Sequence, residues 1–297
     1  MKRKLIKQGN ATLTLSLPTE YVKQLNLKAG DEINLEKTGN TIEIALSKTP
    51  VVKKKEINVE YLSKKIIERI IAATYRQGID ELSLSFIDPS IGECVQKLIN
   101  DQLIGYEIIF LSSKTVTIKE ISNSSIEEFD TILRRAFLIL KNIANESVDA
   151  LEKNDEILMK SLSASDANIN KLTNLCERMM MKYGHKDVEK TPVYYHLVKE
   201  IENIGDEFKF IFDFVLENKL KLKKETLEII KKMKEIISGY YDLFYNFSLK
   251  TAEDLFNKVK TEMIKINLKC DPEINVHLLS MLRLIENTIG DFISIKV

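Results

Sequence analysis

The run RKLIKQGNATLTLSLP at residues 3–18, with LNLKAGDEINLE at residues 25–36, sets the reading of the whole chain. Leu13, Leu15 and Leu17 alternate with Thr12, Thr14 and Ser16, the two-residue period of a strand with one apolar face. Pro18 has no N–H to give a ladder, so pairing stops there. Thr19 and Glu20 open a one-turn helix that reaches about Leu25, residues 27–31 form a turn, and Ile33 and Leu35 begin another alternating strand. Gly39-Asn40 has hairpin-turn composition, and Ile42, Ile44 and Leu46 alternate beyond it. Four strands this short cannot enclose a core, so their apolar face needs a second copy to cover it.

Outward from this segment, residues 49–55 read as a linker, because Pro50 breaks the last strand and Lys53, Lys54 and Lys55 follow. Residues 56–122 then form a small mixed α/β connector. Its pattern is a helix over 59–76, a strand over 81–86, a short helix from Pro89, and strands over 106–111 and 116–121. It contains no glycine loop of the kind that cradles phosphate. From residue 123 onward the periodicity is helical throughout. Ser125 and Glu128 have capping-box spacing ahead of a helix that runs to Leu151. Further helices are expected over 165–181, 191–217, 225–246, 249–266 and 271–294, with Thr191-Pro192 and Asp271-Pro272 as cap and first-turn pairs.

Six helices with short links suggest two antiparallel three-helix bundles, over about 123–219 and 220–297. There is an internal echo between them. Glu202-Asn203-Ile204-Gly205-Asp206 lies in the third helix and Glu286-Asn287-Thr288-Ile289-Gly290-Asp291 in the sixth. Glycine inside a helix costs about 1 kcal/mol relative to alanine, so two at matching places point to close helix contact.

The net charge of zero hides an asymmetry. Residues 1–55 hold eleven Lys/Arg against five Asp/Glu, a net of +6, which leaves −6 on the rest. A basic first domain on a mildly acidic body fits nucleic-acid contact confined to one end. Cys94, Cys176 and Cys270 are far apart and form no C-x-x-C pair, so reduced, mostly buried thiols are expected. With no apolar signal region and no uninterrupted apolar span, the chain is expected in the cytoplasm without a membrane span. His185, His196 and His277 have no metal-ligand spacing and read as surface or helix-end residues. Met179 to Met181 and Tyr240, Tyr241, Phe244 and Tyr245 read as bundle packing. No enzyme motif stands out, and no catalytic residue is assigned.

Arg3-Lys4, Lys7-x-Gly9, Ser16-Leu17-Pro18 and Leu25-x-Leu27-x-x-Gly30-Asp31 resemble the SpoVT/AbrB/MazE swapped-hairpin family over roughly 45 residues. The resemblance implies a dimeric, swapped-hairpin β-barrel that binds DNA, formed by residues 1–48. The repeated Glu-x-Ile-Gly-Asp theme resembles the PhoU family, regulators of phosphate uptake built from tandem three-helix bundles. The composite is similar to archaeal PhoU-type regulators. The expected fold is multidomain α+β: the barrel, the mixed connector at 56–122, and an all-α PhoU-like half at 123–297.

The expected function is a DNA-binding transcriptional regulator of phosphate homeostasis, working as a homodimer or higher even oligomer. Arg3, Lys4 and Lys7 are the main candidates for DNA contact, with Thr12 and Thr14 behind them. The helical half would sense a signal or a partner, such as a phosphate transporter subunit or a sensor kinase. An adaptor that never touches DNA, and a metal-binding sensor, remain as alternatives. The PhoU resemblance also implies acidic metal motifs. Glu202 and Asp206 match four residues apart and Asp291 matches in the second copy, but Asn287 and Asn170 stand where acids would be. The expectation is at most a weakly held divalent ion and no multinuclear cluster.

Overall fold

The computed structural model describes residues 3–9, 11–24, 27–38, 41–45, 52–122, 125–266 and 270–297. These fall into two compact units, Met1–Val51 and Val52–Val297. The expected Gly39-Asn40 turn, and the strand end at Leu46, lie outside the described residues.

In the first unit, β1 (Ile6–Gln8) pairs antiparallel with β2 (Thr12–Thr14). The short helix α1 (Thr19–Gln24) follows, then β3 (Asn34–Thr38) paired antiparallel with β4 (Thr41–Ala45). Gly9 and Gly30 take φ of +72° and +97° at the turns, a region where a side chain is strained. The Asp31 carboxylate holds the second turn by accepting the Lys28 N–H at 2.7 Å. No described side chain in this unit is buried. Leu13, Leu35 and Ile42 are 61%, 63% and 71% exposed. A single chain thus shows two hairpins and, among the described residues, no closed barrel; a barrel made by interleaving needs the second chain.

The second unit begins with a four-stranded sheet: β5 (Lys54–Asn58), β6 (Glu81–Ser85), β7 (Tyr106–Leu111) and β8 (Thr115–Glu120), in the order β5-β6-β8-β7. β5 runs parallel to β6, and the other pairs are antiparallel. Helices α2 (Lys64–Arg76) and α3 (Ser90–Gln102) share a core with Leu82, Leu84, Val116 and Ile118. β5 corrects the linker reading. Lys54 and Lys55 belong to an edge strand, where exposed lysines are tolerated and discourage further pairing. α2 starts later than its apolar pattern implied, because Val59 extends the strand by donating its N–H to the Ser85 carbonyl at 2.9 Å.

Six long helices complete the unit: α4 (Phe129–Glu152), α5 (Glu156–Tyr183), α6 (Thr191–Asn218), α7 (Lys224–Tyr245), α8 (Leu249–Lys265) and α9 (Pro272–Lys296). α4, α5 and α6 pack as one three-helix bundle, and α7, α8 and α9 as another. α6 lies against α9 and α4 against α7, so both bundles share one continuous core. α5 begins well before the expected Ser165, because the Asp155 carboxylate accepts the Ile157 and Leu158 N–H groups and caps the helix there.

Other local expectations also change. Ser125 accepts from the Glu127 N–H in a 3-10 turn and forms no capping box with Glu128. Thr191 Oγ1 accepts the His185 N–H at 2.9 Å, so it braces the preceding turn. Asp271 accepts the Lys223 N–H and the Thr226 hydroxyl, each at 2.8 Å, so its side chain anchors the start of α7 and makes no capping bond to α9. Gly205 is a true close approach: a Cβ there would meet Ile169 Cδ1 at 3.0 Å and Asp166 Oδ1 at 3.1 Å. Gly290 is not, since nothing lies within 4 Å of its Cβ position. Met179 and Met180 fill the core as expected, while Met181 is exposed. The three cysteines are free, with Cys176 and Cys270 buried and Cys94 half-buried.

His185 is buried, not superficial. It stacks on Tyr194 at 4.3 Å between centroids, and its Nδ1 accepts the Asp187 N–H at 3.1 Å. Burial lowers its pKa below the ordinary 6.5, so the fold prefers the neutral ring. The unfolded chain therefore takes up a proton first as pH falls. The stability linked to His185 is complete above pH 6.5 and is lost as pH drops towards the lower folded value. His185→Asn keeps an acceptor near the Nδ1 position but does not titrate. We expect its thermal midpoint to fall less steeply below pH 6.5 than that of the wild type; parallel curves would exclude this role for His185.

Candidate functional site

Three groups of residues have the composition of a functional site, and the first is the basic end of the first unit. Arg3 and Lys4 precede β1, and Lys7 sits in its middle; all three are exposed. The register sets Lys7 opposite Leu13, and Ile6 and Gln8 opposite Thr14 and Thr12. Side chains alternate across a strand, so Thr12 and Thr14 project from the face opposite Lys7. Thr14 Oγ1 also donates to the Ile6 carbonyl at 3.1 Å, within the hairpin. The structure keeps Lys7 on the face of Leu13 and does not bring the two threonines to it. A phosphate backbone approaching the Lys7 face meets exposed ammonium groups rather than hydroxyls.

The second group is the acid seam between α5 and α6. Glu202 and Asp206 lie one turn apart on α6 and face Asp166 of α5, whose side chain is only 1% exposed. Asp166 Oδ2 accepts from Asn170 Nδ2 at 3.0 Å and from Lys209 Nζ at 3.3 Å. Lys199 donates to Glu202 at 2.6 Å. Burial raises the Asp166 pKa. Asp206 is pushed up to about 6 by burial first, then by the neighbouring charges of Asp166 and Glu202.

Asp291 is not part of this seam. On α9 it meets His196 Nδ1 at 2.7 Å, and His196 Nε2 faces Glu200 at 3.4 Å. Lower on the same α6–α9 contact, His277 Nδ1 lies 2.6 Å from Glu207, which also accepts from Ser280. His196 and His277 therefore bridge the two bundles; His196 is exposed, as its surface reading has it, while His277 is half-buried. Residues 196, 200 and 207 share one face of α6, towards α9; residues 202, 206 and 209 share the face towards α5.

The family-implied metal does not fit the seam. Two lysine ammonium groups already contact its carboxylates, and Asn170 presents its N–H₂ to Asp166, not its carbonyl. Among the described residues, no group of three or more His, Cys, Asp or Glu side chains is arranged to hold a metal ion.

Sequence reasoning missed the third group, the joint between the connector and α5. Arg178 is 2% exposed, and all five of its N–H donors are used. Nη1 donates to the Tyr75 and Ile79 carbonyls at 2.6 and 2.8 Å. Nη2 donates to Asp80 and Glu120 at 3.2 and 2.7 Å, and Nε to Glu120 at 3.3 Å. The guanidinium also lies 4.9 and 5.2 Å from the ring centroids of Tyr75 and Tyr106. Lys182, one turn on, reaches the same two acids at 2.5 and 2.7 Å. Burial, the largest single influence, works against the charge on Arg178, but the Glu120 hydrogen bonds together with the charge interactions of Tyr106, Glu120 and Tyr75 raise the pKa overall. One turn before Arg178, Asn174 accepts from Arg76 at 2.9 Å, and Glu177 pairs with Arg76 at 3.2 Å. The available signal was a charged pair, Glu177-Arg178, flanked in sequence by Leu175-Cys176 and Met179-Met180.

Among the described residues, no helix is long and apolar enough to cross a membrane. Comparison with curated proteins finds no match. Family models do match, and both describe regulatory rather than catalytic domains. The model for the antidote-toxin recognition protein MazE, a bacterial antitoxin, matches residues 6–56, which begin at β1, take in the rest of the first unit and end inside β5. The PhoU domain model matches residues 133–215, which span most of α4, α5 and α6. The chain thus carries a MazE/AbrB-like domain at its N-terminal end and a PhoU domain in its helical half.

Proposed function

We propose that this chain is a DNA-binding regulator of phosphate uptake, in which the first unit contacts DNA as half of a dimer and the helical half senses a signal or a partner. The observation that carries the reading is the first unit: basic, matched by the MazE/AbrB-like model, and without a single buried described side chain. Apolar burial is worth roughly 25 cal/mol per Å², so leaving those leucines and isoleucines in water forgoes the stabilisation a second copy supplies. The PhoU match supports phosphate supply as the regulated process. A phosphate transporter subunit or a sensor kinase is the proposed partner of the helical half. Arg3, Lys4 and Lys7 are the proposed DNA contacts, through phosphates for the lysines and a phosphate or guanine edge for the arginine. Genome-wide DNA occupancy of the intact protein, with and without phosphate, tests the reading: discrete bound sites that change with phosphate support it. A dimer that occupies no DNA in either condition favours the adaptor reading.

Dimerisation is tested separately. In light scattering the intact protein should run as a dimer or a higher even oligomer. The fragment 52–297, which is a compact unit by itself, should run at a lower state. An intact chain that is monomeric at micromolar concentration would overturn the proposed assembly.

A further inference from the structure

The acid seam between α5 and α6 lacks a fit for metal, yet its chemistry still demands a cation. Asp166 is 1% exposed, Glu202 and Asp206 stand beside it, and Asp166 Oδ1 and Asn170 Oδ1 have no hydrogen-bond partner. Three carboxylates this close, partly out of water, repel one another unless positive charge lies among them. We propose that Lys209, with Lys199 already on Glu202, is the resident counter-cation of the buried end of this seam: its ammonium performs the charge neutralisation at Asp166 that a bound divalent ion would, and it keeps such an ion out.

Three observations carry this. Lys209 stands three residues beyond Asp206 and seven beyond Glu202, so one helical stripe delivers both acids and the cation towards α5. Its Nζ lies 3.3 Å from the most deeply buried of the three carboxylates and crosses between helices to reach it. Asn170 turns its N–H₂ to the same Oδ2, which suits an acid already facing an ammonium and would waste the amide carbonyl in a metal site. The second bundle also pairs acids with its own lysines: Lys260 of α8 crosses to Glu286 of α9 at 2.6 Å, and within α8 Lys265 meets the buried Glu262 at 2.7 Å. In both halves, lysines of the chain itself supply the charge.

Removing the ammonium therefore leaves the seam with negative charge that an added cation can offset. The carboxylates of Asp166, Glu202 and Asp206 are hard donors that suit Ca²⁺ or Mg²⁺ over thiophilic metals. The test uses the full chain, with CaCl₂ as the probe, and reads thermal unfolding in EDTA and in millimolar CaCl₂. Wild-type protein should unfold at one temperature in both, within about 1 °C, and carry less than one equivalent of any divalent metal as purified. Lys209→Gln should lose about 3–8 °C in EDTA and recover most of it with calcium, while Lys209→Arg should behave as wild type. If Lys209→Gln is insoluble without added ion, its recovery in calcium-supplemented medium supports the proposal, and insolubility in both media overturns it. The proposal is also overturned if calcium stabilises the wild type and Asp166→Asn abolishes the effect. So is it if folded Lys209→Gln gains nothing from calcium. Two or more tightly held metal ions per wild-type chain would likewise exclude it.

Discussion

Arg178→Ala should lower the thermal midpoint of the intact protein by about 10 °C, with the connector losing amide protection before the bundles do. The size follows from what the substitution leaves behind. Asp80 and Glu120 have side chains 12% and 10% exposed, and they would keep only Lys182 as a cationic partner. The carbonyls of Tyr75 and Ile79 lose the donor that reaches them from α5. Removing one member of a buried charged network typically costs about 3–5 kcal/mol, because the charges left behind cannot return to water. Arg178→Lys should recover less than half of the loss. A lysine has three donors on one nitrogen, which cannot span two carbonyls and two carboxylates, and it does not stack between the Tyr75 and Tyr106 rings. A midpoint for Arg178→Ala within about 2 °C of wild type would show that the joint is held by its apolar contacts alone.

The second large effect is expected at the other end of the chain. Replacing Arg3, Lys4 and Lys7 together by alanine should remove six cationic contacts from a dimer, and each contact contributes about 0.9 to the slope of log affinity against log salt. Between 50 and 200 mM salt the wild type should lose roughly a thousandfold more affinity than the variant, as measured by fluorescence anisotropy on a bound operator. Exposed side chains at these three positions contribute little to folding, so the variant should keep its oligomeric state. An unchanged salt slope would place the DNA contact elsewhere.

The helical half was legible because its signal is redundant. In α4, Leu133, Phe137, Leu140, Ala144 and Leu151 repeat a helical spacing over about five turns, and all are buried. The start of α5 escaped although Ile157, Leu158, Met159 and Leu162 lie in it, because Ser161, Ser163 and Ser165 interrupt the apolar pattern. The helix there is set by one carboxylate, Asp155, whose capping role depends on geometry that periodicity does not record. β5 escaped for a related reason. An edge strand leaves one side to water, so among its residues Lys54, Lys55 and Glu56 are exposed and only Ile57 is half-buried.

The candidate sites were legible only in part. The spacing of Glu202 and Asp206 was visible, and so was the echo at Asp291. Which helix each faces was not, because residues 202 and 206 look towards α5 while Asp291 meets α6 on its other side. Lys209 was hidden among many lysines until its contact with Asp166 singled it out. Arg178 was the largest omission. Its partners come from residues 75–80 and from Glu120, about 60 to 100 positions away, and no local pattern carries a contact of that range.

The length of α5 has one further consequence. Asp166, at the seam with α6, and Arg178, at the joint with the connector, lie twelve residues apart on one unbroken helix, or about 18 Å along its axis. A continuous helix turns and slides as a rod. With every donor of Arg178 committed, the rod has no slack at its connector end. A shift of α5 at the Asp166 end should therefore also load the Arg178 joint and the sheet it holds, and hydrogen exchange in β6 and β8 should respond to substitution at Asp166.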